Sequence, residues 1–254
     1  MSVESDRKEF LRVMARAPRP EMAAVHDLEV SGGDGPLRAR MLVAPDAGDD
    51  VLVYVHGGGW FLGDLDSWEP IARVIARATR CRILEIEHRQ APEHPFPAPL
   101  DDVRTALSWA VAELDAPRVG AVGDSSGGNL VAAAARYVDG LAIQVLVYPA
   151  VDLTPRESQH YAARAEVANP DVSPLLADDF TGLPPAVVCV AQDDWLRGQG
   201  LAYAERLQAA GVPVRVVEGR GLGHAFLGWG SFSPRAAEAI AELGDAVRAM
   251  LAEH

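Results

Sequence analysis

The 254-residue sequence lacks several features, and each absence narrows the kinds of protein it can encode. Two cysteines, Cys81 and Cys189, cannot form a disulfide framework, so we expect buried free thiols. No apolar run approaches the ~18 residues of a membrane span. The charged N-terminus has no apolar signal-peptide core. These absences predict a soluble, cytoplasmic protein with no membrane partner.

Positive charge is also scarce. Lys and Arg number 23 against 36 Asp and Glu, which gives a formal net charge of −13. A surface of that sign repels phosphate backbones and anionic lipids, so nucleic acids are not expected as partners. The hydrophobic fraction of 49% and the charged fraction of 23% are those of an ordinary globular domain.

Short β-branched runs alternate with longer helical patterns. The predicted strands are residues 51–55, 82–87, 118–123, 142–148, 185–191 and 213–219, preceded by an edge hairpin of 25–30 and 37–44. The predicted helices are residues 71–78, 101–113, 127–137, 201–210 and a last one that opens at 233–234. This alternation predicts an α/β fold with about eight mostly parallel strands and helices on both faces. Ligands of such folds bind at the carboxyl ends of the strands.

Two segments fall outside the alternation. Residues 152–183 contain scattered prolines and no strand pattern, and either a lid over the functional edge or a solvated connection fits them. Residues 1–24 open with a helical pattern that has Phe10, Val13 and Met14 on one face. We expect this helix to pack on the side of the domain, with docking at the functional edge as the alternative. The prediction is one domain over residues 1–254.

Residues 123–127 read Gly-Asp-Ser-Ser-Gly, a G-x-S-x-G pattern with Ser125 at its centre. The pattern is typical of a sharp strand-to-helix turn that exposes a serine hydroxyl, with glycines where a Cβ would clash. A β run precedes it directly and a helical run follows, as this turn requires. Ser125 is therefore the candidate nucleophile.

A second glycine cluster, Gly57 to Gly59 between His56 and Trp60, ends the predicted strand 51–55. Its backbone N–H groups, together with one from the residue after the nucleophile, can form an oxyanion hole. A phosphate-binding loop is the rival interpretation, but no G-x-G-x-x-G or Walker pattern accompanies the cluster. For His56 we prefer a hydrogen bond that braces the loop over a role as base.

A nucleophilic serine needs a base, which the chain order of this fold places last, after the acid. His160 lies in the insertion and His254 at the terminus, whereas His224 lies in a glycine-rich loop after a predicted strand. His224 is therefore the candidate base. The acid is expected after strand 185–191, where Asp193 and Asp194 are adjacent and the pattern does not choose between them.

At these motifs the sequence resembles the hormone-sensitive-lipase-like serine esterases of the α/β-hydrolase fold. The similar stretches are HGGGWFLGDLDSW at 56–68, EHRQAPEHPFPAPLDD at 87–102, GDSSGGN at 123–129, SPLLADDFTGLPPA at 173–186 and GLGHAF at 221–226. The resemblance implies Ser125 as nucleophile and His224 as base. It also implies an oxyanion hole formed by the amides of Gly58, Gly59 and Ser126.

The resemblance also selects an acid. The family's D-P-L-R-D-E-G places its first aspartate on Asp194, with Trp195 in place of the proline and Gly198 in place of the second acid. His88 and Gln90 stand where the family usually has tyrosine and leucine.

The function implied by the resemblance is hydrolysis of short- to medium-chain acyl esters through an acyl-enzyme, without a metal or organic cofactor. Trp60, Trp195 and Phe226 are the candidate substrate-pocket residues. The alternative is the same triad acting on an amide, thioester or lactone, and the family also includes dehydratases and a ligand-binding receptor. Because the insertion looks short for the family, we expect a reduced lid. Either a bulkier substrate or cover from a second subunit in a homodimer would follow.

Overall fold

The structure, a computed structural model, describes residues 2–155 and 160–253. Outside this description lie Met1 of the predicted N-terminal segment, residues 156–159 of the predicted insertion, and His254 at the end of the predicted domain. The strands are β1 (Ala24–Gly32), β2 (Gly35–Val43), β3 (Val51–Val55), β4 (Arg82–Ile86), β5 (Val119–Asp124), β6 (Gln144–Val147), β7 (Ala186–Ala191) and β8 (Val214–Gly219). They form one sheet in the order β1-β2-β4-β3-β5-β6-β7-β8. Only the β1–β2 and β2–β4 pairs among these described strands are antiparallel. The predicted eight-stranded, mostly parallel sheet is confirmed.

Helices cover both faces of the sheet, as predicted. They are α1 (Val3–Met14), α2 (Leu65–Thr79), α3 (Ala98–Glu113), α4 (Ser126–Ala134), α5 (Arg197–Ala209) and α6 (Pro234–Glu253). Helices α3, α4 and α5 bury one apolar core against the sheet, and α2 and α6 bury a second core on the opposite face. Within the described chain, no helix is both long and apolar enough to cross a bilayer.

Helix α2 begins well before the start that apolar spacing predicted. Asp64 and Ser67 form a reciprocal capping box, in which the Ser67 N–H donates to Asp64 Oδ1 at 2.9 Å. Pro70 removes one intrahelical donor, and the carbonyl of Asp66 accepts from Arg19 Nη2 at 3.1 Å instead. The helix therefore continues through a proline at which the sequence pattern suggested a boundary.

The N-terminal helix α1 is shorter than the segment 1–24 and has no buried residue. Phe10 packs on Trp68 of α2, with ring centroids 5.3 Å apart. Met14 contacts the core beside α2, whereas Val13 is 56% exposed. Only part of the predicted apolar face of the helix therefore packs against the domain.

The described part of the insertion 152–183 has no helix longer than a turn. It contains two 3₁₀ turns, Arg164–Glu166 and Pro174–Leu176. Tyr161 is buried, and its carbonyl accepts from the Phe96 N–H at 2.7 Å. This contact ties the insertion to the segment that follows β4.

Candidate active site

The strand-to-helix turn at Ser125 lies at the carboxyl edge of the sheet, between β5 and α4. Ser125 has φ 52° and ψ −115°, a strained conformation for a residue with a side chain. Two residues on, Gly127 approaches the carbonyls of Val55 and His56 so closely that a Cβ there would collide with them. Close backbone packing therefore fixes the position of this turn.

Three side chains from separate loops meet at this turn. Ser125 Oγ lies 3.0 Å from His224 Nε2, and His224 Nδ1 lies 2.7 Å from Asp194 Oδ2. Because a carboxylate only accepts, Nδ1 carries the proton and Nε2 accepts from the serine hydroxyl. The second oxygen of the buried Asp194 accepts from the Leu196 N–H at 2.9 Å. The adjacent Asp193 is exposed, so Asp194 is the carboxylate that contacts the histidine.

Aromatic rings surround His224. Tyr148 meets it edge-on with centroids 4.9 Å apart, and Trp195 lies 4.6 Å away at an angle of 38°. Trp195 is 60% exposed, which places a large apolar surface at the rim of the site. Phe226, expected in the substrate pocket, is instead fully buried and packs beneath Tyr148. That expectation is wrong because the 3₁₀ turn Phe226–Trp229 turns its ring into the core.

Residues 56–63, here called the glycine loop, lie beside the turn at Ser125. The Gly57 N–H donates to Asp124 Oδ1 at 2.9 Å, and the Trp60 N–H donates to Ser126 Oγ at 3.2 Å. The two residues that flank Ser125 thus hold both sides of the segment that contains Gly58 and Gly59.

The backbone of the glycine loop requires its glycines. Gly58 has φ +101°, and a Cβ there would lie 2.5 Å from the Leu62 carbonyl oxygen. Helix α4 begins at Ser126, so the N–H of this residue has no acceptor within the helix. The three predicted oxyanion donors, Gly58, Gly59 and Ser126, therefore belong to two segments that hydrogen bonds join.

Asp124 connects the two segments from a buried position that the sequence analysis did not single out. Its Oδ1 also accepts from the Tyr54 hydroxyl at 2.8 Å. Burial raises the pKa of Asp124 to about 6, although the hydrogen bonds from Tyr54 and Gly57 oppose the shift. The motif G-D-S contained this residue, but its partners are 67 and 70 positions away in the chain.

His56 is buried at the start of the glycine loop. Its Nδ1 lies 2.8 Å from the Gly57 carbonyl oxygen, and its ring stacks between Trp68 and His88 at 5.5 and 4.6 Å. Burial, with a smaller contribution from His88, lowers the pKa of His56 to about 3. A neutral, stacked ring agrees with the predicted bracing role.

Trp60 follows the three glycines of the glycine loop and contacts the insertion. It is 7% exposed, and its ring is almost parallel to that of Tyr161, with centroids 4.6 Å apart. The insertion therefore contacts the glycine loop through an aromatic stack.

Known proteins share this arrangement. A family model described as alpha/beta hydrolase fold matches residues 52–166 and 158–228. The chain belongs to the α/β-hydrolase family. Esterase LipI of Mycobacterium tuberculosis is 34% identical in an alignment that covers 91% of this α/β hydrolase and 84% of LipI. The arylesterase of Saccharolobus solfataricus is 32% identical, with 92% and 86% of the two chains covered.

A solved structure gives the same result for this α/β hydrolase. The thermophilic carboxylesterase EstE1, cloned from a metagenomic library, superposes with a TM-score of 0.90 at 28% identity. The match covers 99% of the present chain and 98% of EstE1. These similarities confirm the resemblance to hormone-sensitive-lipase-like serine esterases that the sequence motifs indicated.

Proposed function

We propose that this α/β hydrolase is a serine carboxylesterase that cleaves small-molecule esters with short- to medium-chain acyl groups. The observation that carries the proposal is the hydrogen-bond chain from Ser125 through His224 to Asp194. Relatives named as esterases, similar over most of the chain, support this class of reaction.

In the proposed mechanism, His224 takes the proton of Ser125 Oγ as this oxygen attacks the carbonyl carbon of the ester. Asp194 orients the imidazole ring and stabilises the positive charge that forms on it. His224 then protonates the leaving alcohol, and water repeats the attack on the acyl-enzyme. No metal or organic cofactor takes part in these steps.

The negative charge on the carbonyl oxygen is stabilised by the amides of Gly58, Gly59 and Ser126. Backbone N–H groups held in place before the reaction need no reorganisation when this charge develops. Removal of one such donor typically costs about 10²–10³-fold in kcat. The hydrogen bonds from Gly57 to Asp124 and from Trp60 to Ser126 support this assignment, since they align the two segments.

The substrate is bordered by aromatic side chains. The leaving-group oxygen must lie next to His224 to receive its proton, so the exposed ring of Trp195 borders the leaving group. Trp60 and Tyr161 close the side next to the glycine loop, where the insertion 152–183 acts as a reduced lid.

A cytoplasmic location, a homodimer and the lack of nucleic-acid partners stay predictions from the sequence.

The nucleophile assignment is tested with Ser125→Ala. This variant removes the attacking oxygen, so kcat for p-nitrophenyl butyrate is expected to fall at least about 10⁴-fold while the fold is retained. Turnover and the circular dichroism spectrum of the purified variant check both parts. An organophosphate should add one adduct, found by mass spectrometry on Ser125, to the wild type and none to the variant.

The same experiment separates the alternative functions. If the wild type forms the adduct but hydrolyses an amide, thioester or lactone faster than any ester in a substrate panel, that compound class replaces the ester as the proposed substrate. A wild type with neither adduct nor hydrolysis would favour a non-hydrolytic member of the family and contradict the proposal.

A further inference from the structure

The glycine loop is held along its second half by donors from outside it. Four consecutive carbonyl oxygens each accept one hydrogen bond: Trp60 from Ala91 N at 2.9 Å, Phe61 from Arg7 Nε at 2.8 Å, Leu62 from Trp68 Nε1 at 3.2 Å and Gly63 from Gln90 Nε2 at 2.7 Å. These donors belong to three parts of the fold, namely α1, α2 and the segment after β4. The path of the loop is therefore set by its surroundings.

Arg7 is the donor that comes from the N-terminal helix. Besides Phe61, its guanidinium donates to the Ala91 carbonyl at 2.9 Å and to both oxygens of Glu93 at 2.7 and 2.8 Å. Its proximity lowers the pKa of Glu93 to about 2, chiefly through these hydrogen bonds. Arg7 thus joins the glycine loop to the segment after β4 through an ion pair with Glu93 and hydrogen bonds to two backbone carbonyls, those of Phe61 and Ala91.

The contact of Arg7 with Phe61 is linked to a proposed oxyanion donor, the N–H of Gly59, through the backbone of the glycine loop. The N–H groups of Phe61 and Leu62 donate to the Gly58 carbonyl oxygen at 3.2 and 2.9 Å. That carbonyl belongs to the same planar peptide unit as the N–H of Gly59. Since Gly59 is a proposed oxyanion donor, a shift of Phe61 would rotate the donor itself.

The helix that supplies Arg7 is otherwise loosely attached. No residue of α1 is buried, and its main apolar contact with α2 is the Phe10–Trp68 pair. The Arg7 side chain is 29% exposed, yet it makes four hydrogen bonds that all leave its own helix. A side chain in this position contributes little to the core, and its bonds are concentrated on the glycine loop and its neighbour.

We propose that Arg7 is a positioning residue of the oxyanion hole: through Phe61 it fixes the orientation of the Gly58–Gly59 peptide. The inference rests on the proposed esterase function. It gives the N-terminal helix a role in the rate of the reaction, in line with docking at the functional edge, which the sequence left as the alternative to packing on the side of the domain.

The test compares Arg7→Met with Arg12→Met in the full-length chain. Arg12 lies on the same helix, is 65% exposed, and pairs with Glu9 of that helix, so it controls for the loss of a positive charge from α1. Arg7→Met is expected to lower kcat for p-nitrophenyl butyrate about ten-fold and to change KM less than about two-fold, because an oxyanion donor is loosened and not removed. Arg12→Met should keep wild-type kinetics.

A transition-state mimic supplies a readout that a merely structural role would not change. In a trifluoromethyl ketone, Ser125 Oγ adds to the carbonyl carbon, its proton passes to His224, and the carbonyl oxygen becomes an oxyanion. The inhibition constant for this ketone should rise in Arg7→Met by the same factor by which kcat/KM falls. Arg7→Lys should lie between Arg7→Met and the wild type, and Gln90→Met, which removes the donor to Gly63, should show the same split between kcat and KM.

The outcomes are distinct. Wild-type kcat in Arg7→Met, equal losses in both arginine variants, or a lower kcat with unchanged ketone inhibition would each overturn the role of Arg7. A raised KM at constant kcat would also overturn it, since Arg7 would then act in substrate binding. A wild type that does not hydrolyse esters would instead overturn the proposed function, and this inference with it.

Discussion

The turn at Ser125 and the glycine loop meet at one edge of the sheet, but they are held in different ways. Every residue of α4 is buried, and Gly127 contacts the backbone that follows β3. The glycine loop is partly exposed, and its carbonyls bond to donors on α1, α2 and the segment after β4. The turn is thus held by backbone packing, and the loop by side chains that can be exchanged one at a time.

This difference separates stability from rate. A change at Gly127 must push helix α4 away from the buried backbone at the end of β3, so it acts on the free energy of unfolding. A change in the loop leaves the cores intact and moves amides by small distances, so it acts mainly on the reaction that these amides serve. Substitutions in the two regions should therefore produce different losses.

The largest expected effect is that of Gly127→Ala in the turn. The added Cβ would collide with the carbonyls of Val55 and His56, which are buried and cannot withdraw. We expect the free energy of unfolding to fall by about 3 kcal/mol or more, measured by urea denaturation. Gly198→Ala is the matched control, because nothing lies within 4 Å of a Cβ at that helical position. A Gly127→Ala variant as stable as this control would contradict the packing argument.

The next effect tests Asp124, which belongs to the turn but also holds the loop. Its pKa is raised from 3.8 to about 6, so the folded state retains a proton that the unfolded state has lost. Wild-type stability should therefore fall relative to Asp124→Asn as the pH rises from about 4 to about 6, by up to about 3 kcal/mol. Below the unfolded-state pKa both states are protonated and this difference levels off.

Urea denaturation of both proteins at a series of pH values measures the effect at Asp124. The asparagine keeps an oxygen that can accept from Tyr54 and Gly57, which makes it the appropriate comparison. Parallel stability curves for the two proteins across this pH range would show that Asp124 does not titrate there, and would disprove the prediction.

The smallest expected loss of stability is that of Gly58→Ala in the glycine loop. Its positive φ and the nearby Leu62 carbonyl oxygen should cost about 1–2 kcal/mol, whereas kcat should fall about 10²-fold because the Gly58 amide is displaced. Gly182→Ala is the control, since Gly182 also has a positive φ (+73°) but nothing lies within 4 Å of its Cβ position. Equal losses of kcat in the two variants would remove the distinction between turn and loop.

The residues of the turn could be predicted because their chemistry is local. Ser125 lies between a strand and a helix in a five-residue pattern, and the strand before it, predicted at 118–123, is Val119–Asp124 in the structure. The residues that donate hydrogen bonds to the glycine loop could not be predicted from the sequence. Arg7 contacts Phe61 across 54 positions of the chain, and no spacing within α1 indicates that contact. Gln90 stood out only as a departure from the family pattern.

Several details depended on which way a side chain turns. Asp193 and Asp194 are neighbours in one loop, and their spacing did not separate them; the family resemblance selected Asp194, which contacts His224, whereas Asp193 is exposed to solvent. Trp195 and Phe226 are both aromatic neighbours of the site in sequence, yet one is exposed at its rim and the other is buried in the core. Such orientation follows from the backbone of an irregular segment, for which the sequence has no repeating pattern.

The amino-acid sequence was enough to predict the succession of strands and helices along the chain and the sharp turn at Ser125. Each of these follows from periodicity or from a glycine pattern within a few residues, where sterics act along the chain. The contact between His224 and Asp194, which the family resemblance had selected, and the donors that hold the carbonyls of residues 60–63 are features of the packed structure. Those contacts join segments far apart in sequence, and they form only when the packed sheet brings its loops to the same edge.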